Sequence, residues 1–160
     1  MQSVFNVIIF GMKKKISPDL YSKMLTSINL ASISLVNSSV DIYDVHLESA
    51  CAIDLHFTDK YTFESSEGSD YVYFFASFKM TGEVAASTEK EKLFSCSAKY
   101  KISYSKPSDM VITKDFFEIF KEINLPQFIW PYFREYIQNM ISRAGMPPLV
   151  LPSRIFNSKS

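Results

Sequence analysis

An excess of charge of either sign is missing from this chain: seventeen basic residues balance seventeen acidic ones. No global field draws a polyanion, and no basic stripe interleaved with aromatics runs through the sequence, so nucleic-acid binding is not expected. Cysteine is scarce. Cys51 and Cys96 are the two present, and with no sign of an oxidising compartment they read as free, buried thiols. The two histidines, His46 and His56, share strand parity with each other but not with Cys51, which argues against a Cys-His nucleophilic pair within that strand. No C-x-x-C or H-x-x-x-H spacing occurs, so neither a metal site nor any other cofactor is expected. Four scattered glycines cannot build a phosphate-cradling loop.

Long apolar runs are also absent. Val4, Phe5, Val7, Ile8, Ile9 and Phe10 make a short cluster ahead of Lys13, Lys14 and Lys15. A secretory signal places its positive charges before its apolar segment, and this run is far too short to cross a bilayer. The expected location is cytoplasmic, without membrane insertion. Met12 is an alternative start, because ordered-looking sequence begins only after it. The expected organisation is an N-terminal extension over residues 1–16, one domain over 17–156 and a short tail over 157–160. A chain of 160 residues is long enough for one core that buries roughly 70% of the unfolded surface.

What is present is punctuation and periodicity. Ser17-Pro18-Asp19 supplies an N-cap, a first-turn proline and a first-turn acid, which predicts a helix to about Ser27. Ile33, Leu35 and Ile42 predict a strand interrupted near Asn37 to Ser39 and carried on through Val45 and Leu47. Cys51, Ile53, Leu55 and Phe57 alternate with polar residues in a half-buried strand that continues toward Tyr61 and Phe63, and Glu67-Gly68-Ser69-Asp70 predicts the turn after it. A third strand from Tyr71 to about Ala86 is aromatic on both parities in its first half. A fourth alternates cleanly from Phe94 to Tyr104. Thr113 or Asp115 caps a helix to about Glu122 with Phe116, Ile119, Phe120 and Ile123 inward. A second helix starts at Pro131, carries Phe133, Tyr136, Ile137, Met140 and Ile141 on one face and stops at Gly145. Pro147, Pro148 and Pro152 then leave Leu149, Val150 and Leu151 extended along another surface.

Trp130-Pro131-Tyr132, Arg134-Glu135, Ser142-Arg143 and Pro148-Leu149-Val150-Leu151 form an ordered set that resembles the carboxy-terminal signature of the SecB family. The opening SPDLYSKMLTSINLASISLV is similar to the start of SecB-like proteins outside the best-known export group. The resemblance implies an α+β fold, a four-stranded antiparallel sheet with helices packed on one side, assembled as a homotetramer that is a dimer of dimers. It also implies ATP-independent binding of unfolded polypeptide clients, held translocation-competent for protein export, with docking on the motor SecA. Export-group members are acidic and carry a mobile tail beyond the last helix, whereas this chain is neutral and ends at Asn157-Ser158-Lys159-Ser160. A SecB-like chaperone dedicated to one client, such as an antitoxin, is the alternative within the family. In the resemblance Trp130, Pro131, Tyr132, Arg134, Glu135, Arg143, Pro148, Leu149 and Leu151 take structural or oligomeric roles. Arg134 and Glu135 point apart on a helix and are expected to meet different partners across a subunit contact.

The composition suits that function, because 14 Phe, 9 Tyr and 7 Met supply large, adaptable apolar surface. Tyr71, Tyr73, Phe74, Phe75, Phe57 and Tyr61 are the candidate client-binding residues. Subunit packing explains the same aromatics, since obligate interfaces are rich in them. Two other classes compete. A small-molecule-binding α+β domain or enzyme would gather Tyr100, Tyr104, His56 or Cys51 around a cavity, and an oligomerisation module would use its aromatics only to hold subunits together.

Overall fold

The computed structural model describes residues 16–43, 52–85 and 91–151. Helix α1 (Pro18–Ser27) begins where its sequence dictates: the Ser17 hydroxyl accepts the Leu20 N–H at 3.2 Å, and Pro18 and Asp19 occupy the first turn. It buries Tyr21 and Met24. Strands β1 (Asn29–Ile42), β2 (Ile53–Ser65), β3 (Tyr71–Val84) and β4 (Lys92–Ser105) follow, and α2 (Lys114–Arg143) closes the described fold. The sheet is antiparallel throughout, in the order β1-β4-β3-β2. The β2–β3 hairpin turns through Gly68 at φ 71°, a left-handed conformation that favours glycine.

The break expected near Asn37 is a pair of bulges in a continuous strand. The β1–β4 register slips between Leu30 and Ser32 and again between Leu35 and Asn37. Each extra residue switches the parity, so Leu30, Ile33, Leu35, Val40 and Ile42 share one face despite irregular spacing. Val45, Leu47, His46 and Cys51, expected around the β1–β2 connection, lie outside the described residues.

That shared face is the inner one. On β3 it carries Val72, Phe74, Ala76, Phe78 and Met80, and on β4 Phe94, Cys96, Ala98, Tyr100, Ile102 and Tyr104, all buried. Gly82 belongs to the same set, because a Cβ there would overlap the ring of its register partner Phe94. Across these strands lies α2, which buries Phe116, Phe117, Ile119, Phe120, Leu125, Ile129, Trp130, Phe133, Ile137 and Ile141. Thr113 is its N-cap, accepting the Phe116 N–H at 3.2 Å. At the other end Gly145 (φ 74°) donates to the Ser142 carbonyl and Met146 to that of Ile141, the paired bonds of a Schellman stop.

The two expected carboxy-terminal helices are therefore one, 30 residues long with Pro126 and Pro131 inside it. Pro131 starts no helix. Each internal proline forfeits one backbone bond and costs about 3 kcal/mol. Burying Leu125, Ile129, Trp130 and Phe133 on the sheet contributes about 1.5–3 kcal/mol apiece, so packing outweighs the local penalty. Beyond the helix Leu151 is buried, Leu149 half-buried and Val150 exposed, the alternation of an extended segment. Tyr21 ties α1 to α2 by donating its hydroxyl to Asn124 Oδ1 at 2.5 Å, both side chains buried.

Candidate functional site

Helix α2 is narrower than the sheet it covers, and apolar side chains remain at both margins of the inner face. On the β2 side, register places Leu55, Phe57, Tyr61 and Phe63 opposite Gly82, Met80, Ala76 and Phe74, hence on the helix-covered face. Phe57 packs edge-on against Trp130 at 5.2 Å and lies 5.8 Å from both Phe78 and Phe133. Tyr61 stands edge-on to Phe78 at 6.1 Å and donates its hydroxyl to the Asp59 carboxylate at 2.9 Å. Phe63 meets Phe117 at 4.6 Å. These rings are half-buried and Leu55 is exposed, forming a floor beside the helix flank.

On the β1 side the exposure is greater. Leu30, Leu35 and Ile42 point to the inner face as register partners of Tyr104, Tyr100 and Phe94, yet they are 47%, 46% and 41% exposed. The Tyr100 hydroxyl donates to the Tyr132 carbonyl at 3.2 Å, which sets Tyr132 of α2 above the partner of Leu35. Phe128, Tyr132, Tyr136 and Met140 follow one another at four-residue steps and so form a stripe along α2. Phe128 and Tyr132 are exposed, Tyr136 and Met140 half-buried.

The six candidate client-binding residues thus fall into three places. Phe57 and Tyr61 lie on the β2 margin. Phe74 is a core residue with no exposed surface, packed against Phe117, Phe120 and Tyr104, so as a client-binding residue it is corrected: strand alternation sends it under the helix. Tyr71, Tyr73 and Phe75 lie on the opposite, outer face. Of the motif residues, Trp130 is buried whereas Tyr132 is half exposed. Pro131, Glu135, Arg143 and Pro148 are exposed, Arg134 and Leu149 half-buried, and Leu151 buried. Sequence reasoning passed over the margin role of Leu30, Leu35, Ile42 and Phe128. The four-residue spacing of the α2 stripe was a visible signal, while the β1 set was hidden by its bulges.

Chemistry is sparse at these surfaces. Cys96 is buried and donates its thiol to the Met80 carbonyl at 3.5 Å; burial pushes its pKa up to about 11, so it is a protonated, unreactive thiol at neutral pH. Burial likewise raises Tyr21 and Tyr100 and moves Tyr104 to about 12. His56 lies on the outer face, 3.4 Å from Glu83, and cannot share a pocket with Tyr100 and Tyr104 on the inner one. Among the described residues no three His, Cys, Asp or Glu side chains gather as metal ligands, and no helix is long and apolar enough to cross a membrane.

No family model matches the chain, and no curated protein sequence does. Among solved structures it is similar to the SecB-like chaperone Rv1957 of Mycobacterium tuberculosis, solved in complex with a ChAD peptide from the Rv1956 HigA1 antitoxin. The TM-score is 0.75 at 12% identity over 86% of this chain and 97% of that one. A protein of unknown function from Streptococcus agalactiae aligns at 9% identity over 79% of this chain and 97% of that one, but its TM-score of 0.41 carries no argument. The sheet order, the long helix across one face and the likeness to Rv1957 together give this chain a SecB-like fold.

Proposed function

We propose that the chain is an ATP-independent chaperone that holds non-native polypeptide on the apolar margins of its inner face. The observation that carries this reading is the exposure of Leu30, Leu35 and Ile42 on the same face whose β3 and β4 residues form the core. Such a margin has the chemistry of an interior and the accessibility of a surface. An extended client can lie along the groove between the strand and α2, its apolar side chains against Leu35 and Tyr132 on one flank or Phe57 and Tyr61 on the other. Burying about three client side chains there supplies roughly 5–9 kcal/mol of gross apolar transfer free energy, before the cost of ordering the client. That is suited to capture and release, and it needs no catalytic group.

The Phe128, Tyr132, Tyr136 and Met140 stripe supports self-association, because a second copy of the same helix is a matching apolar surface. We assign Phe128, Tyr136 and Met140 of the stripe to subunit packing within a homotetramer, and Tyr132 together with the strand margins to client contact. The neutral charge of the chain and the antitoxin peptide held by Rv1957 favour a dedicated client over a general role in cytoplasmic export through SecA.

The test is suppression of aggregation of a chemically unfolded model protein without ATP, with oligomer mass recorded on the same sample by light scattering. Suppression near one tetramer per client chain is expected of a general holdase. A stable oligomer without suppression leaves the dedicated reading, which then requires saturable binding of a natural partner segment; failure of both overturns the proposal.

A further inference from the structure

The outer face of the sheet carries a cation cluster that no stretch of sequence displays, because three strands contribute to it. Register puts Thr62, Phe75, Lys101 and Ser34 in one row across the sheet, then Lys60, Ser77, Lys99 and Asn37, then Thr58, Lys79, Ser97 and Ser39. Those three rows hold four lysines and no acid. The acids of this face lie outside them. Glu64 is opposite Tyr73 in the row on one side, while Asp41, Asp54 and Glu83 lie at the other end. Asp41 accepts the Ser95 hydroxyl at 3.3 Å and Glu83 pairs with His56, so these two carboxylates are turned to their own neighbours. In a chain of zero net charge this is local charge separation, and four like charges on one open face repel unless an anion covers them.

Two of the lysines are held by aromatic rings of the neighbouring row. Lys101 Nζ lies 3.9 Å from the centre of the Tyr73 ring and Lys99 Nζ 5.0 Å from that of Phe75, cation–π geometry that orders otherwise mobile side chains. Both lean in the same direction along the strands. The cluster spans about four residues of strand and two strand spacings, roughly 14 by 10 Å, the footprint of about four or five extended residues. Serine and threonine hydroxyls between the ammoniums offer further donors to carboxylate oxygens.

We propose that this face docks a short acidic segment of a partner polypeptide. Charge complementarity selects an anion, and the rings select the class. Single-stranded nucleic acid binds such sheets by stacking bases on open aromatic faces, whereas here ammoniums stand over the Tyr73 and Phe75 rings. Acidic residues at both ends of the patch further suit a short segment with a defined end over a continuous phosphate track. The site is separate from the apolar margins, so a chain that holds no client would still bind through it.

The experiment uses the full chain and a fluorescein-labelled hexaglutamate peptide, followed by anisotropy at low ionic strength, with an oligothymidylate of equal charge as competitor. Saturable peptide binding is expected, falling roughly tenfold or more in Lys99→Glu/Lys101→Glu and declining as salt is raised. Lys60→Gln/Lys79→Gln, on other strands, is expected to weaken it similarly, and circular dichroism confirms that each variant is folded. No saturable binding, or binding unchanged in both folded variants, overturns the proposal. Displacement by the oligothymidylate at lower concentration than by unlabelled peptide reassigns the face to nucleic acid. A loss of oligomer mass in Lys99→Glu/Lys101→Glu, read by light scattering, reassigns it to a second copy of the chain.

Discussion

Phe74 and Phe75 are consecutive in sequence and chemically identical, yet the sheet sends them into opposite environments. Phe74 lies beneath α2 among Phe117, Phe120 and Tyr104 without exposed surface. Phe75 lies on the outer face, half-buried, under the ammonium of Lys99. The same contrast separates the sheet into a helix-covered face that is mainly apolar and an outer face on which lysine, serine and threonine surround the Tyr73 and Phe75 rings. Aromatic content alone therefore does not identify a binding surface. What matters is how far the cover extends over the residue, and at Leu30, Leu35 and Ile42 of β1 it leaves nearly half of each side chain open.

The sharpest way to break the comparison is truncation at each position. Phe74→Ala is expected to destabilise by about 3–5 kcal/mol, as for other buried aromatics, measured by urea denaturation. The loss is one of core packing and so reports nothing about client contact. Pro131→Ala restores a helix-interior N–H at an exposed position, and after allowing for the greater freedom of the unfolded chain it is expected to stabilise by about 2 kcal/mol. A fall in melting temperature would contradict the single continuous helix.

Alkali offers a third test. Burial raises the Cys96 thiol from 9.0 to about 11 and Tyr104 from 10.0 to about 12, so both stay protonated in the folded state at pH values where the unfolded chain has released its protons. The stability they contribute is present below the unfolded values and lost as pH rises through the folded ones. The melting temperature is thus expected to fall between about pH 9 and 12, and less steeply in Cys96→Ala. Leu35→Ser/Ile42→Ser is expected to cost about 2 kcal/mol, because each side chain, 46% and 41% exposed, keeps about half of its apolar surface out of water. This variant is expected to stay folded and lose client binding. Phe75→Ser removes a surface ring and a cation–π pair, with an expected cost of about 0.5–1 kcal/mol.

Much of the architecture was legible because local signals agreed with one another. Ser17-Pro18-Asp19, the β4 alternation and the Gly68 and Gly145 positions each carry their own physical reason. Helix continuity was not legible. Pro126 and Pro131 argue locally for a break, and only the sheet beneath Leu125, Ile129, Trp130 and Phe133 overrides them. The two bulges in β1 concealed a common face behind changing parity. The lysine patch was invisible for a related reason, since Lys60, Lys79 and Lys99 become neighbours only when register is known. The motif around Trp130 pointed to the right fold, while the placement of Phe74 needed the helix to be seen lying across β3.

The division between the two faces is tested most directly by amide hydrogen exchange with a bound client segment. Protection confined to β1, the margin of β2 around Phe57 and Tyr61, and α2 near Tyr132 is the predicted result, with the backbone of Lys99 to Ser103 in β4 unchanged. Protection that instead concentrates around Tyr73, Phe75 and Lys101, with Leu35 and Ile42 unaffected, would contradict the assignment of clients to the inner face.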